Sequence, residues 1–308
     1  MGKRHFESTL TLKKLDVYVV DNSKEAVNLV NDIPNPNQNR VTTLDDIEAL
    51  PTQIDLAIIA TNSLPRKQII DKLLGHSKVG HLVLEKLLFP RLQEYDQSVS
   101  LLESSSIETW INCPFRMYPL FKDIKSKIKI ENSISLSITG NNWGLATTAI
   151  HLLDLLCFLR EDPNLELSSL LDEEVFESKR KGYYEVNGGI LATNTYGDKL
   201  YINSKNVEGK SPKYFVIQDE FQRWSFQDNM TEGRYCNSDV KWREEVFEFN
   251  FPYQSGLTSI FVQDLLSKGT CDLPRFSETY TLHKDYLQFL NTHFEKQWKK
   301  KIEICPIT

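Results

Sequence analysis

The sequence predicts an α/β fold in which a doubly wound parallel sheet is followed by an α+β region with a large, mostly antiparallel sheet. Three observations lead there. Short apolar strands alternate with helical patterns through the first third of the chain. The polar clusters of that third fall just beyond the strand ends, where ligands bind in doubly wound sheets. After the middle of the chain, strands punctuated by turn residues replace the strand-helix alternation.

Taken in order, residues 16–20 (Asp-Val-Tyr-Val-Val) read as a strand, and Asp21-Asn22-Ser23 behind it can cap a helix beginning near Lys24. Pro34-Asn35-Pro36-Asn37 is a loop. Residues 55–60 are a continuous apolar strand, followed by Thr61-Asn62-Ser63 and a helix opened by Pro65. A third strand covers 80–84 and ends in Glu85-Lys86, a helix spans about 91–104, and a fourth strand covers 107–112. Farther on, a helix at 118–128 precedes a half-buried strand at 134–139. Strands at 183–186, 189–193, 199–202, 213–217 and 221–226 follow, with Asn187-Gly188 and Gly197-Asp198 read as turns. Helices at about 257–268 and 277–296 close the chain.

Residues 142–159 stand apart: a helix apolar on nearly every side that still carries Thr147, His151 and Asp154 on one stripe. Buried polar groups need partners or a ligand. An imidazole held beside a carboxylate is a natural general acid/base, and a core histidine bonded to its own acid is the structural alternative. Asp21, closing a strand, is placed to accept hydrogen bonds from ribose hydroxyls, and its charge repels a 2′-phosphate, which favours NAD over NADP. The alternative for Asp21 is a helix cap.

Composition limits the function classes. A chain of 308 residues with 40% hydrophobic and 25% charged residues is an ordinary globular protein with room for two domains. Its net charge of -6 and lack of a strongly basic tract argue against nucleic acid and anionic membrane partners. No apolar run is long enough to span a bilayer or serve as a signal core, so a cytoplasmic location is expected. The cysteines, at 113, 157, 236, 271 and 305, form no Cys-x-x-Cys pair and indicate neither a disulfide framework nor a metal site.

Gly2-Lys3-Arg4-His5, Val19-Val20-Asp21, Ile59-Ala60-Thr61-Asn62, Glu85-Lys86, Asn112-Cys113-Pro114-Phe115-Arg116 and Gly144…His151-Leu152-Leu153-Asp154 occur in an order that resembles the Gfo/Idh/MocA oxidoreductases. That resemblance implies a Rossmann-like nucleotide domain over residues 1–115 and an α+β substrate and oligomerisation domain over 116–308, with an open-faced sheet. It implies NAD(P)-dependent chemistry on sugars or cyclitols. Cofactor contacts then fall to Gly2, Lys3, Arg4, Asp21, Ala60, Thr61, Asn62 and Glu85, and catalysis to Lys86 and His151, with Asp154 orienting His151 or binding a substrate hydroxyl. Lys86 would hold the substrate oxygen while His151 takes or returns the hydroxyl proton.

Departures from the family pattern accompany the resemblance. The family opens with a strand and a Gly-x-Gly-x-x-Gly loop, whereas this sequence begins at what corresponds to the last glycine, Gly2. The expectation is a natural polypeptide that starts upstream of Met1, or a truncated or degenerate form. Glu85-Lys86-Leu87 replaces the family's Glu-Lys-Pro, and Thr147 stands where many members have Asp.

Asn112, Arg116, Asn142, Trp143 and Thr147, with Lys86 and His151, are the candidate substrate contacts. Arg116 is suited to a carboxylate or phosphate through its planar fork. The Asn-Trp-Gly…His pattern resembles members linked to surface-carbohydrate synthesis, so a sugar or sugar nucleotide is expected. A homodimer or homotetramer through the second sheet is implied, with Tyr201, Trp224 and Phe226 read either as contact residues or, more often for strand aromatics, as core and cross-strand pairs. A binding or sensor protein, and a lyase or hydrolase that oxidises transiently through bound NAD, are the alternatives.

Overall fold

A computed structural model describes residues 1–307, with Gln254 and Ser255 described by their backbone alone. The chain runs α1 (Gly2–Thr9), β1 (Asp16–Val20), α2 (Lys24–Asn31), β2 (Arg40–Leu44), β3 (Gln53–Ile59), α3 (Arg66–His76), β4 (Lys78–Leu84), α4 (Leu92–Ser105) and β5 (Glu108–Ile111). It continues with α5 (Pro119–Lys127), β6 (Ser135–Asn141), α6 (Leu145–Arg160), β7 (Glu166–Glu177), β8 (Tyr184–Thr193), β9 (Lys199–Lys205) and β10 (Ser211–Gln218). The last elements are β11 (Gln222–Gln227), β12 (Glu232–Asn237), β13 (Glu245–Glu248), α7 (Gln254–Lys268) and α8 (Phe276–Trp298). Two compact units form, and the late segment Pro252–Ser277 belongs to the first of them, with Met1–Phe89 and Gln93–Pro114. A division of the chain at 115/116 does not anticipate that return.

In the first unit every strand pairing is parallel: β1 with β2, and β3 with β4 with β5. Leu82, Val83 and Leu84 of the central β4 are fully buried, as a strand covered on both faces requires. Around the smaller sheet, Phe6, Leu10 and Val30 pack with Val17, Val19, Ile33 and Val41. The Ser23 side chain accepts the Ala26 N–H at 3.2 Å and caps α2. From the returning segment, α7 packs on α1, where the Ser259 N–H donates to Ser8 Oγ at 2.9 Å. The Ile111 N–H donates to the Pro274 carbonyl at 2.9 Å.

The second unit is built on an eight-stranded sheet, ordered β13-β12-β11-β10-β6-β9-β8-β7. It is antiparallel except where β6 runs parallel to β9. Leu136, Ile138, Ile190, Leu200, Ile202, Phe215 and Ile217 are buried on one face, against which α6 and α5 pack. Trp224 and Phe226 lie on that buried face, each 2% exposed, with the Phe226 ring 6.2 Å from Phe121 of α5. They are core residues, the commoner of the two readings their place in strands offers. The opposite face carries Ser137, Tyr201, Val216 and Ser225 in register, all half-exposed.

Asn187-Gly188 is not a turn: it lies inside β8, and the β7–β8 hairpin turns instead at 178–183. Gly188 has φ +98° and faces the irregular register between Leu171 and Val175 of β7. A Cβ there would come within 2.4 Å of the Asp172 backbone nitrogen, so the position needs glycine for a close approach. The strands β2, β7, β12 and β13 were not foreseen in the sequence, nor was α1. β7 and β13 are the sheet edges, and the pattern of β7 is largely exposed, so the apolar alternation that marks a strand is weak. Among the described residues no helix is long and apolar enough to cross a membrane.

Candidate functional site

The first unit gathers polar groups where its parallel strands end. The N-terminal turn of α1 sits beside the end of β3: a Cβ on Gly2 would lie 3.8 Å from that of Ala60. Lys3 makes an exposed pair with Glu7 at 3.7 Å, and the Arg4 N–H donates to the Met1 carbonyl at 2.8 Å. Asp21 is exposed just after β1, with Oδ1 accepting the Ser23 N–H at 2.9 Å, so part of its role is the cap. Asn62 is exposed, whereas the Thr61 hydroxyl oxygen is buried without a hydrogen-bond partner. An orphaned hydroxyl at a strand end suits a ligand that supplies the missing bond.

Glu85 follows β4 and is buried in a knot of side chains. His5 Nε2 lies 2.8 Å from Glu85 Oε1, His5 Nδ1 lies 2.8 Å from Thr258 Oγ1, and Asn112 Nδ2 donates to Glu85 Oε1 at 2.6 Å. Burial by itself raises the Glu85 pKa; the bonds and charge of His5, with Asn112 and Arg66, outweigh it and hold the carboxyl at about 2. Glu85 is therefore an anion spent on α1 and β5, and Asn112 is spent on Glu85. Beside this knot, the buried Arg66 guanidinium donates through Nη1 to the carbonyls of Glu85 (2.7 Å), Leu88 (2.7 Å) and Leu87, and through Nη2 to that of Thr61. Lys86, between buried Glu85 and buried Leu87, is itself half-buried.

In the second unit α6 carries the histidine. The helix begins after Gly144 in the left-handed region (φ +79°), where a Cβ would stand 3.3 Å from Glu185 Oε1. It has no acid in its first turn and no side-chain cap of its own. Glu185 of β8 supplies one: Oε2 accepts the Ala146 N–H at 2.8 Å, and Oε1 accepts the Thr147 N–H at 3.2 Å and its hydroxyl. Tyr286 of α8 donates its hydroxyl to the Ala146 carbonyl at 2.9 Å, and burial pushes that phenol well above its usual range. Thr147 is thus bonded into the helix start.

Asp154 is fully buried and engaged on both oxygens by Arg116, Oδ2 by Nε at 2.9 Å and Oδ1 by Nη2 at 2.7 Å. Complete burial raises the Asp154 pKa, opposed by the Arg116 charge and hydrogen bonds. Glu278 lies 3.1 Å from Arg116 Nη1, and the Thr279 hydroxyl reaches Asp154 at 3.4 Å. Asp154 and Arg116 thus hold each other; the sequence alone assigns Asp154 to His151 or a substrate hydroxyl, and Arg116 to a sugar ring, a carboxylate or a phosphate. His151 is half-buried, its ring 5.9 Å from that of Phe115.

Asn142 and Trp143 serve the sheet. The Asn142 amide donates to the Val207 and Gly209 carbonyls, the latter at 3.0 Å, and accepts from Asn187 at 3.2 Å. Trp143 Nε1 donates to the Asn203 carbonyl at 3.1 Å, with the Lys213 ammonium 5.7 Å from its ring. Arg66, Glu185, His5, Thr258 and Tyr286 escaped sequence reasoning. Only Glu185 left a signal, since an apolar helix without its own cap requires one from elsewhere in the chain. A hollow of about 370 Å³ lined by Trp224, Tyr235, Phe247 and Phe249 touches none of these residues. Among the described residues no group of His, Cys, Asp and Glu has the makings of a metal site.

No family model and no curated protein matches the sequence. Solved structures do. The super-repressor mutant of Gal80p from Saccharomyces cerevisiae aligns with TM-score 0.71 at 15% identity over 97% of this chain and 92% of its own. UDP-N-acetylglucosamine 3-dehydrogenase GnnA from Acidithiobacillus ferrooxidans aligns with TM-score 0.68 at 13% identity, over 96% and 93%. An oxidoreductase from Agrobacterium radiobacter, solved with NAD+, L-tartaric acid and magnesium, gives TM-score 0.69 at 14% identity, over 96% and 93%. The chain shares their fold: a parallel, Rossmann-like unit followed by a large, mostly antiparallel sheet.

Proposed function

We propose that the protein is an NAD-dependent oxidoreductase of the Gfo/Idh/MocA type acting on a hydroxyl or keto carbon of a sugar, sugar nucleotide or cyclitol. The observation that carries the reading is the fold shared with dehydrogenases of known structure, together with the orphaned Thr61 hydroxyl at the end of β3; Lys86 at the end of β4 and His151 on α6 are the catalytic side chains of this reading. The nicotinamide group, when bound, supplies the hydride acceptor or donor. The residues present fit it: the orphaned Thr61 hydroxyl, the first turn of α1 at Gly2, Lys3 and Arg4, and the exposed Asp21 carboxylate are suited to its pyrophosphate and ribose groups. Ala60 and Asn62 complete that set, and Asp21 favours NAD over NADP by repelling a 2′-phosphate.

In this reading Lys86 donates a hydrogen bond to the reacting oxygen, and His151 holds the hydroxyl proton as hydride leaves the carbon. The likeness to GnnA, a UDP-N-acetylglucosamine 3-dehydrogenase, supports a sugar-nucleotide substrate; a place in surface-carbohydrate synthesis rests on the Asn-Trp-Gly…His pattern of residues 142–151. A homodimer or homotetramer through the half-exposed face of the second sheet, and a cytoplasmic location, belong to the same proposal. A panel of sugars, sugar nucleotides and cyclitols with NAD and NADP tests it. Accumulation of NADH with one class of substrate, lost in Lys86→Ala and His151→Ala, supports the reading; full turnover in both variants overturns the site.

A second reading is a binding protein that keeps the fold without turnover. It is favoured by the mutual engagement of Arg116 with Asp154 and of Thr147 with Glu185, and by the likeness to Gal80p. Quenching of NADH fluorescence with no turnover across the panel supports that alternative.

A further inference from the structure

We infer that Arg66 is the positioning residue for Lys86; the inference rests on the proposed role of Lys86. Arg66 is 1% exposed, and its cation is solvated by backbone carbonyls in the place of water. Nη1 takes the carbonyls of Glu85 and Leu87, the residues on either side of Lys86, together with that of Leu88. β4 ends at Leu84 and the chain bends at Lys86 and Leu87. Carbonyls that flank a bend and converge on one nitrogen fix the backbone torsions between them.

Leu87, Leu88 and Phe89 are buried at 1%, 0% and 0%, which anchors the far side of the bend. On the near side Glu85 is held by His5 and Asn112. The Lys86 backbone is therefore fixed from both ends. Nη2 adds the Thr61 carbonyl, so the same guanidinium joins the end of β3 to the end of β4. A single planar fork can serve acceptors in these separate directions, whereas a lysine at 66 offers one compact ammonium.

The test combines two readouts on the full chain for Arg66→Met and Arg66→Lys. Hydrogen exchange is followed at residues 85–89 against the remaining amides, and kcat and KM are measured with the best substrate of the panel. The expected result for Arg66→Met is at least about tenfold faster exchange at 85–89 with β5 and the second unit unchanged. The accompanying loss is about 10–100-fold in kcat, larger than the change in KM, because a side chain displaced by about 1 Å loses its alignment with the reacting oxygen. Arg66→Lys falls between wild type and Arg66→Met in both readouts and serves as the variant of record if Arg66→Met does not fold. Exchange that rises evenly through the first unit, or wild-type exchange and kcat in a folded variant, overturns the inference. If wild type turns over nothing in the panel, the dehydrogenase reading fails while exchange at 85–89 still decides whether Arg66 holds the bend.

Discussion

Two buried glutamates do opposite jobs in the two units. Glu85, at the end of β4, is held by side chains, His5 and Asn112, and fastens α1 and β5 beside Lys86. Glu185, near the start of β8, is held by backbone N–H groups and closes the start of the helix that carries His151. One carboxylate anchors a strand end by pairing with a cation or a neutral donor; the other replaces a missing helix cap and meets the positive end of a helix dipole. In each unit a buried carboxylate thus holds the element that carries one of the two side chains proposed for catalysis, Lys86 in the first and His151 in the second. Of the site residues expected from sequence, Glu85, Asn112, Arg116 and Asp154 are hydrogen-bonded within the scaffold.

That arrangement can be broken at several points. The largest expected effect is on turnover: Lys86→Ala and His151→Ala each lower kcat by about 10²–10⁴-fold, as loss of a positioned proton-transfer or hydrogen-bonding group does, with the unfolding midpoint in urea unchanged. Next comes Arg116→Ala, which leaves the fully buried Asp154 without its cation and costs about 3–5 kcal/mol in urea unfolding. Replacing both partners, Arg116→Met with Asp154→Leu, recovers most of that loss, which marks the pair as scaffold.

Glu85→Gln sharpens the first half of the comparison. The wild-type carboxyl is depressed from its ordinary 4.5 to about 2, so its contribution is present above pH 4.5 and is lost as pH falls through that window to about 2. The depression corresponds to about 3 kcal/mol, and Glu85→Gln removes that share of stability at neutral pH while flattening the stability profile between pH 4.5 and 2. Chemical unfolding measured across that range checks the sign. The smallest effect is expected at Glu185→Ala, about 1–2 kcal/mol for the lost cap, with a modest fall in kcat from fraying of the first turn of α6.

The sequence made some of this legible and hid the rest for physical reasons. β1 and α6 were readable from their own residues: α6 is apolar on nearly every side, as a buried helix must be, and β1, a run of β-branched and aromatic residues, matches its expected bounds. The strand-end positions of Asp21, Thr61 and Lys86 followed from the parallel topology. The couplings did not. Arg116 and Asp154 lie 38 residues apart, as do Thr147 and Glu185, and nothing local to either partner announces the other. Arg66 follows Pro65 at the start of α3, where an arginine ordinarily reads as solvated surface. Asn187-Gly188 misled because a β-bulge and a tight turn ask for the same backbone freedom.

The measurement that bears most directly on the account is a kinetic cycle of Lys86→Ala, His151→Ala and the double variant, with NADH formation followed on one substrate. If both side chains act on one hydroxyl, the double variant is no more than about tenfold slower than the slower single variant, because groups working as a unit are not additive. Losses that multiply fully, or a double variant that retains wild-type turnover, contradict it.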